Sequence, residues 1–560
     1  MITPTPSQIE IRDHMARDLL VVAPAGCGKT EALALRVDGL LRRGDVELPR
    51  KILVVTFSNR AKDNIRDRLR AYLGATHLRD HVTVVNFHGL SARIFKAHAN
   101  VIGLNPSMTL PESDWVREEC NRKGLEYPAA KRAQDALRAA KLEPHTDSDI
   151  EEYLVRNREI HALEIERDRL ADARLTYDDL PRVAELILAD DRVAELYREH
   201  FGALIVDEFQ DLTPQQLRIV NRIGYRRTTY AGDLAQGIYG FTGAKPTEIH
   251  RRIAEECTKT VRLAESHRSS PAVLAAVNSL IPLTGGTPLT AADEASWPGD
   301  GLFATARFQT AEDEADWIAN LTGRLASKVP YHRIGIMART EKRRKFVEVA
   351  LGGIGVDHMR WDDGVLDTDT ARAMRSMLGH FNLSAYERAD SKLSFLRESS
   401  GLEEIAESST RQSLVEALGW CYELLRDGIS PGEIHARIKV GNGDTLVTKP
   451  GVHVLNGHVG KGQQFDWAII VGAEDGSIPS YLAKTEEERA EEARILSVMI
   501  SRARHGVFVT YADEVQITQT WRKSHKASPY FNELSDAKPL GGQDLCDWLQ
   551  GADWAAIAAR

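Results

Sequence analysis

The stretch Ala23-Pro24-Ala25-Gly26-Cys27-Gly28-Lys29-Thr30 follows the apolar run Leu19-Leu20-Val21-Val22 and precedes the helical pattern Glu31-Ala32-Leu33-Ala34-Leu35-Arg36-Val37. That order predicts a strand, a phosphate-binding loop and a helix. Small residues at Ala25, Gly26 and Gly28, with Cys27 among them, let backbone N–H groups close around an anionic phosphate. Lys29 is placed to reach the terminal phosphates and the Thr30 hydroxyl to ligate Mg²⁺, so the chain is expected to hold a nucleoside triphosphate.

Working outward, Phe201-Gly-Ala-Leu-Ile-Val-Asp207-Glu208-Phe209-Gln210-Asp211 reads as a second buried strand that ends abruptly in acids. Hydrolysis of a nucleoside triphosphate needs one carboxylate to hold the metal that bridges the phosphates. It needs another to orient or deprotonate the attacking water. Asp207 is assigned to the metal and Glu208 to the base.

The 560 residues suggest three or four domains of about 150 residues each, and 42% hydrophobic content is ample for several cores. No apolar run approaches the ~20 residues of a membrane span. The start, Met1-Ile-Thr-Pro-Thr-Pro, lacks the basic and apolar regions of a signal peptide, so a cytoplasmic protein with no membrane association is expected. Cys27, Cys120, Cys257, Cys421 and Cys546 are scattered, without ligand-spaced partners, and read as free thiols rather than a zinc or iron–sulfur site. The net charge of −9 means that nucleic-acid binding must come from a local basic or aromatic groove. The densest basic cluster, Arg339-Thr-Glu-Lys-Arg-Arg-Lys345, reads equally as such a patch or as a solvated helix start.

Further strand-like runs at Ile52–Val55, Val82–Val85, Ala203–Val206, Thr228–Ala231, Arg333–Met337 and Trp467–Val471 alternate with turn signals and helical patterns. This argues for an α/β fold of parallel sheets with helices on both faces. Residues 97–175 and 361–449 break the alternation with charged, helix-like sequence and read as helical insertions into two α/β cores.

Ordered segments along nearly the whole chain, from Gln8 to about Leu534, then carry a family resemblance. They are Thr5-Pro-Ser-Gln8, Val55-Thr-Phe-Ser-Asn-Arg-Ala61, Asn86-Phe-His-Gly-Leu-Ser-Ala-Arg93, Leu175-Thr-Tyr-Asp-Asp-Leu180 and Asp207-Glu-Phe-Gln-Asp-Leu-Thr-Pro-Gln-Gln216. Ala231-Gly-Asp-Leu-Ala-Gln236 with Ile238-Tyr-Gly-Phe-Thr-Gly-Ala244, Glu265-Ser-His-Arg-Ser269, Leu455-Asn-Gly-His-Val-Gly-Lys-Gly-Gln-Gln-Phe-Asp466 and Glu491 to Ala503 complete the set. Together they resemble the superfamily 1A DNA helicases of the UvrD/Rep/PcrA type. The resemblance implies two RecA-like P-loop cores, each with a mainly helical insertion. Core 1A would span 1–96 and 176–270 around insertion 1B at 97–175. Core 2A would span 271–360 and 450–535 around a short insertion 2B at 361–449, with a C-terminal tail at 536–560.

The same resemblance implies roles. Gln8 and Arg36 would contact adenine, His267 would stand at the base-stacking position and Gln464 at the ribose position. Gln236 would sense the γ-phosphate, and Arg268 and Arg502 would be arginine fingers, each a fixed guanidinium that neutralises charge on the transferred phosphoryl group. Thr56, Phe57, Asn59, Phe87, His88, Tyr239, Phe241 and His458 would face DNA. His267, Gln464, Asn456, Gly240 and Thr242 depart from the usual family residues, which implies looser nucleotide selectivity and altered coupling to DNA. Expected ligands are ATP, Mg²⁺, single-stranded DNA and single/double-strand junctions. Expected activity is 3′-to-5′ translocation and unwinding in DNA repair or anti-phage defence. The alternative is a DNA-activated ATPase that serves as sensor or regulatory subunit of a nuclease or repair protein, with little unwinding of its own.

Overall fold

A computed structural model of the chain describes residues 4–57, 59–111, 115–125, 127–238, 244–360, 365–366, 374–375, 377–389, 391–400, 417–418, 421–422, 424–426, 429–440, 447–456, 463–518 and 521–560. Strands β1 (Leu19–Val22), β2 (Lys51–Thr56), β3 (Val82–Asn86), β4 (Phe201–Asp207), β5 (Thr228–Gly232) and β6 (Thr260–Arg262) form one parallel sheet ordered β3-β2-β4-β5-β1-β6. Strands β1, β4 and β5 are buried at every residue, because helices cover both faces. Alternate residues point to opposite faces, so Val21, Val54 and Ile205 join one apolar cluster with Leu33 and Val37 of helix α2 (Lys29–Arg42). Leu53, Val55 and Val206 join the other with Ile94 and Phe95.

The second sheet holds β7 (Leu302–Thr310), β8 (Arg333–Ala338), β9 (His358–Arg360), β10 (Gly451–Asn456), β11 (Phe465–Val471), β12 (Ala503–Thr518) and β13 (Trp521–Ser524). Its order is β9-β10-β8-β11-β12-β13, with β7 also pairing β12 in parallel and β13 antiparallel at the end. Every strand run read from the sequence is a strand in the structure. β6, β7, β9, β12 and β13 went unread, being short or interrupted by charged residues, and β10 because His453, buried in the structure, breaks its apolar run.

Four helices, Trp115–Arg122, Tyr127–Lys141, Asp147–Arg156 and Ile160–Ala171, pack on their own apolar core of Cys120, Leu137, Ile150, Leu154 and Ile165. They are joined to the first core by a network of buried charges. Lys141 Nζ lies 2.8 Å from Glu166 and 2.9 Å from Asp179. Arg169 and Arg182 both reach Asp147, at 2.8 and 2.7 Å, and Arg182 also reaches Asp179 at 2.8 Å. Asp179 and Arg182 sit on the helix Asp179–Leu188, which belongs to the core. Burial opposes ionisation of Asp179, yet Lys141, Arg169 and Arg182 outweigh it and hold the carboxyl well below the usual range. Described parts of 374–438 form a separate apolar cluster of Met374, Leu396, Leu418, Cys421 and Ile434.

Two expectations are corrected. Residues 536–560 are no tail: helices Gly542–Gly551 and Trp554–Ala559 bury Leu545 and Ile557 in the second core, and Trp548 and Trp554 pack on Trp467. The Arg339–Lys345 cluster is no free basic patch. Arg339 pairs with Glu492 at 2.6 Å, Arg344 with Glu348 at 3.1 Å, and Arg343 lies buried between Glu314 and Glu474. Among the described residues, no helix is long and apolar enough to cross a membrane.

Candidate active site

The loop after β1 turns at two glycines in the left-handed region, Gly26 at φ +86° and Gly28 at φ +76°. Neither tolerates a side chain. A Cβ on Gly26 would lie 2.7 Å from Arg268 Cβ and 2.9 Å from Ser266 Oγ, and one on Gly28 would lie 2.6 Å from Gln8 Nε2. Helix α2 then starts at Lys29, so Lys29 and Thr30 occupy its first turn, with loop N–H groups at the helix N-terminus. Gln8 is brought to this loop by helix Pro6–Asp13. Its Oε1 accepts from Thr5 N at 3.0 Å while its Nε2 donates to Gly28 O at 3.3 Å. Burial, then the charge of nearby Asp233, pushes the Cys27 thiol up to about 12, so it fills the loop as a neutral group.

Arg36 departs from its expected place against a base. It is fully buried, and its guanidinium donates to His14 O at 2.6 Å, Ile11 O at 3.3 Å, Thr229 Oγ1 at 3.2 Å and Ala16 O. With its donors spent this way, Arg36 clamps the 11–16 turn to β5. Helix periodicity explains the difference: Arg36 lies two turns into α2, on the face that meets helix Pro6–Asp13.

At the tip of β4, Lys29 Nζ lies 2.9 Å from Asp207 Oδ1 and also contacts Glu208. Burial penalises the ammonium, but Asp207 and Glu208 outweigh it and raise the Lys29 pKa. Burial raises the Asp207 acid in spite of Lys29. Glu208 sits at φ +58°, a left-handed position unusual for a side-chain-bearing residue, which aims its carboxylate off the strand end. Gln210 Nε2 donates to Glu208 at 2.6 Å, and Gln210 Oε1 accepts from Asp233 N at 3.0 Å. Asp233 accepts from Gln236 Nε2 at 3.0 Å. The adjacent tips of β4 and β5 are thus wired together. Gln210 and Asp233 were not singled out in the sequence, although Gly232 carries a signal, since a Cβ there would meet Gln210 Oε1 at 2.2 Å.

Arg268 lies against Gly26, and its Nη1 is buried with no hydrogen-bond partner among the described residues. An orphaned guanidinium N–H beside a glycine cradle fits a phosphate anion. Thr30 and Asp207 supply oxygen ligands of the kind Mg²⁺ takes when phosphates complete its shell. Arg502, 3% exposed, donates to Val498 O and Ser501 Oγ, both at 2.9 Å. Val498 and Ser501 line a cavity whose opposite wall is Pro24, Ala25 and Gln236, so the two cores meet there. Arg494, also missed in the sequence, crosses the same boundary by donating to Thr247 Oγ1 at 3.0 Å, and it donates to Thr284 O on its own side at 3.4 Å. His267 and Gln464 are exposed, and His267 N donates to Gly26 O at 3.0 Å.

The expected DNA contacts divide. Phe87 is 3% exposed inside the apolar core and Thr56 is fully buried at the end of β2, so neither side chain can face a strand as expected; each points inward by the pleat and packing of its element. Phe57 is half-buried. His88 is half-buried, kept neutral by burial, and stands edge-to-face at 5.5 Å from Tyr177, which is 42% exposed. The backbone of Asn59 opens a helix, and Tyr239, Phe241 and His458 lie outside the described residues, as does the side chain of Asn59.

Residues 5–255 match the UvrD/REP helicase N-terminal domain and residues 422–514 the UvrD-like helicase C-terminal domain. The chain is 27% identical over 579 residues to the ATP-dependent DNA helicase UvrD2 of Mycobacterium tuberculosis, covering 93% of this chain and 80% of that protein. It is 25% identical over 629 residues to DNA helicase II of Escherichia coli, covering 93% and 85%. To the ATP-dependent DNA helicase PcrA of Leuconostoc citreum it is 28% identical over 353 residues, covering 60% and 46%.

Proposed function

Because the chain belongs to the UvrD-like helicases, we propose that it hydrolyses ATP between its two cores to move 3′ to 5′ along single-stranded DNA and open duplex ahead of it. The observation that carries this reading is the cleft. Lys29, Asp207 and Glu208 meet at the tip of β4, the orphaned Arg268 lies against Gly26 of the adjoining loop, and Val498 and Ser501, which accept from Arg502 of the second core, line a cavity with Pro24, Ala25 and Gln236 of the first. Lys29 would leave its carboxylates for the β- and γ-phosphates, which frees Glu208 to accept a proton from water. Gln210 holds Glu208 toward that position, and Arg268 and Arg502 meet charge as it develops on the transferred group. Bound Mg²⁺, held by Thr30 and Asp207, would neutralise phosphate oxygens. Because Arg494 joins the cores through Thr247, nucleotide turnover changes how the cores meet, and alternate gripping of the strand follows. We assign the protein to the cytoplasm and to DNA repair or anti-phage defence, with single-stranded DNA and strand junctions as its partners.

The test is ATP turnover with single-stranded DNA, blunt duplex and RNA, followed by strand displacement on duplexes tailed at either end. Strong stimulation by single-stranded DNA and unwinding from a 3′ tail are expected. Turnover already maximal without DNA would overturn the coupling. DNA-stimulated turnover with no unwinding from either tail would favour the regulatory ATPase instead.

A further inference from the structure

Between the two cores the chain runs through residues 263–270, and this crossing segment is bonded on both sides. On the first-core side, Leu263 N donates to Val22 O at 2.9 Å and His267 N to Gly26 O at 3.0 Å. On the second-core side, Ser269 Oγ donates to Ala503 O at 2.7 Å, Ser270 N to Arg504 O at 2.8 Å and Ser270 Oγ to His505 O at 3.0 Å. Both serines are buried. Ser270 stands at the N-cap of helix Pro271–Ser279, where a serine hydroxyl ordinarily caps its own helix, yet it makes no capping bond. Its hydroxyl is spent on the neighbouring strand instead. Gly301 closes the space around it, since a Cβ there would meet Ser270 Oγ at 2.1 Å.

These bonds join the residues directly after Arg268 to those directly after Arg502. The far side of residues 503–505 is held as well. His505 meets the edge of Trp297, Arg504 donates to Arg560 O at 2.6 Å, and the Arg560 guanidinium lies 3.7 Å over Trp297. The short segment is therefore gripped between the crossing serines and the C-terminal helices. We infer that Ser269 and Ser270 are positioning residues that fix Arg268 and Arg502 relative to one another, so that the two guanidiniums reach the cleft as one unit rather than as independent side chains.

The inference rests on the proposed hydrolysis, and its test separates the two. The double variant S269A/S270A is compared with wild type in the Arg502→Ala background and in the unchanged one. A fall in kcat of about tenfold is expected, the kinetic equivalent of one to two hydrogen bonds, with KM for ATP unchanged and Ser269→Thr close to wild type. In the Arg502→Ala background the serine substitutions should cost little more, because the group they position is gone. An equal fold loss in both backgrounds, or none in either, overturns the inference. Hydrogen exchange over 502–506 should quicken in the double variant; unchanged exchange overturns it too, whether or not the wild-type chain hydrolyses ATP. Absence of DNA-stimulated turnover in wild type would overturn the functional reading alone.

Discussion

Replacing Lys29 by alanine removes the ammonium that lies 2.9 Å from Asp207 and in contact with Glu208. The local formal charge then goes from one net negative charge to two, in a place where burial already disfavours ionisation. Breaking a fully buried ion pair by removing one partner costs about 3–5 kcal/mol. The side chains of Lys29, Asp207 and Glu208 keep 15%, 8% and 25% exposure, so about 2–3 kcal/mol of local stability is expected to go at neutral pH. The pH dependence follows from the raised Asp207 acid, which loss of Lys29 raises further. Such a carboxyl binds more protons folded than unfolded across the interval between its two pKa values, so stability falls as pH rises through that interval and returns as pH falls. The deficit of K29A against wild type should therefore shrink between pH 7 and the ordinary carboxylate value of about pH 4, by about 1.4 kcal/mol for each pKa unit of added shift. Hydrogen exchange of the peptide over β4 and residues 208–211, read at both pH values, follows this locally in a protein of several cores. Adding Glu208→Gln to K29A removes one unpaired charge and should return roughly half of the lost protection. Protection in K29A equal to wild type at pH 7, or a deficit that does not change with pH, would refute the reasoning.

Glu208→Gln alone should keep ATP binding and cut turnover by about 10²–10⁴-fold, since an amide cannot take the proton from water; rapid single-turnover hydrolysis would remove Glu208 from that role. Arg502→Ala should lower kcat by about 10³-fold with ATP affinity within a few-fold, and Arg502→Lys should restore little, because a point charge lacks the planar fork. Full recovery with lysine would make the residue a plain cation whose fork is not used. Cys27, whose thiol is pushed up to about 12 by burial, should resist iodoacetamide at neutral pH under conditions that label exposed Cys546; mass spectrometry showing equal labelling would contradict the buried loop.

The phosphate loop and the acid pair were readable from sequence because each couples a continuous apolar run to an abrupt change of residue type at a strand tip, a local signal. Arg36 failed for the opposite reason. Sequence order placed it on the nucleotide helix, but which face of that helix meets the 11–16 turn is a tertiary fact. The same holds for Phe87 and Thr56, whose burial depends on the neighbouring strand and helix, and for the Arg339–Lys345 cluster, whose acidic partners Glu314, Glu474 and Glu492 lie far along the chain. Gln210, Asp233 and Arg494 act through contacts between elements, and no spacing rule announces them. The C-terminal helices were mistaken for a tail because Leu545, Trp548, Trp554 and Ile557 are thinly spread among small and acidic residues.

The buried charges that join the helical insertion to the first core bear on where motion can occur. Sliding the insertion by even a few ångströms would part both Lys141 and Arg169 from Asp179 with no water to take their place. An apolar seam slips in small steps at small cost, whereas a dry lattice of charges has one low-energy register and a steep wall around it. The insertion and its core are thus a single lever, and flexing within the stroke falls to the crossing segment and the face-to-face boundary of the two cores. A change that softened this lattice, such as neutralising Lys141, would leave the chemistry at the cleft in place while letting the lever bend under load.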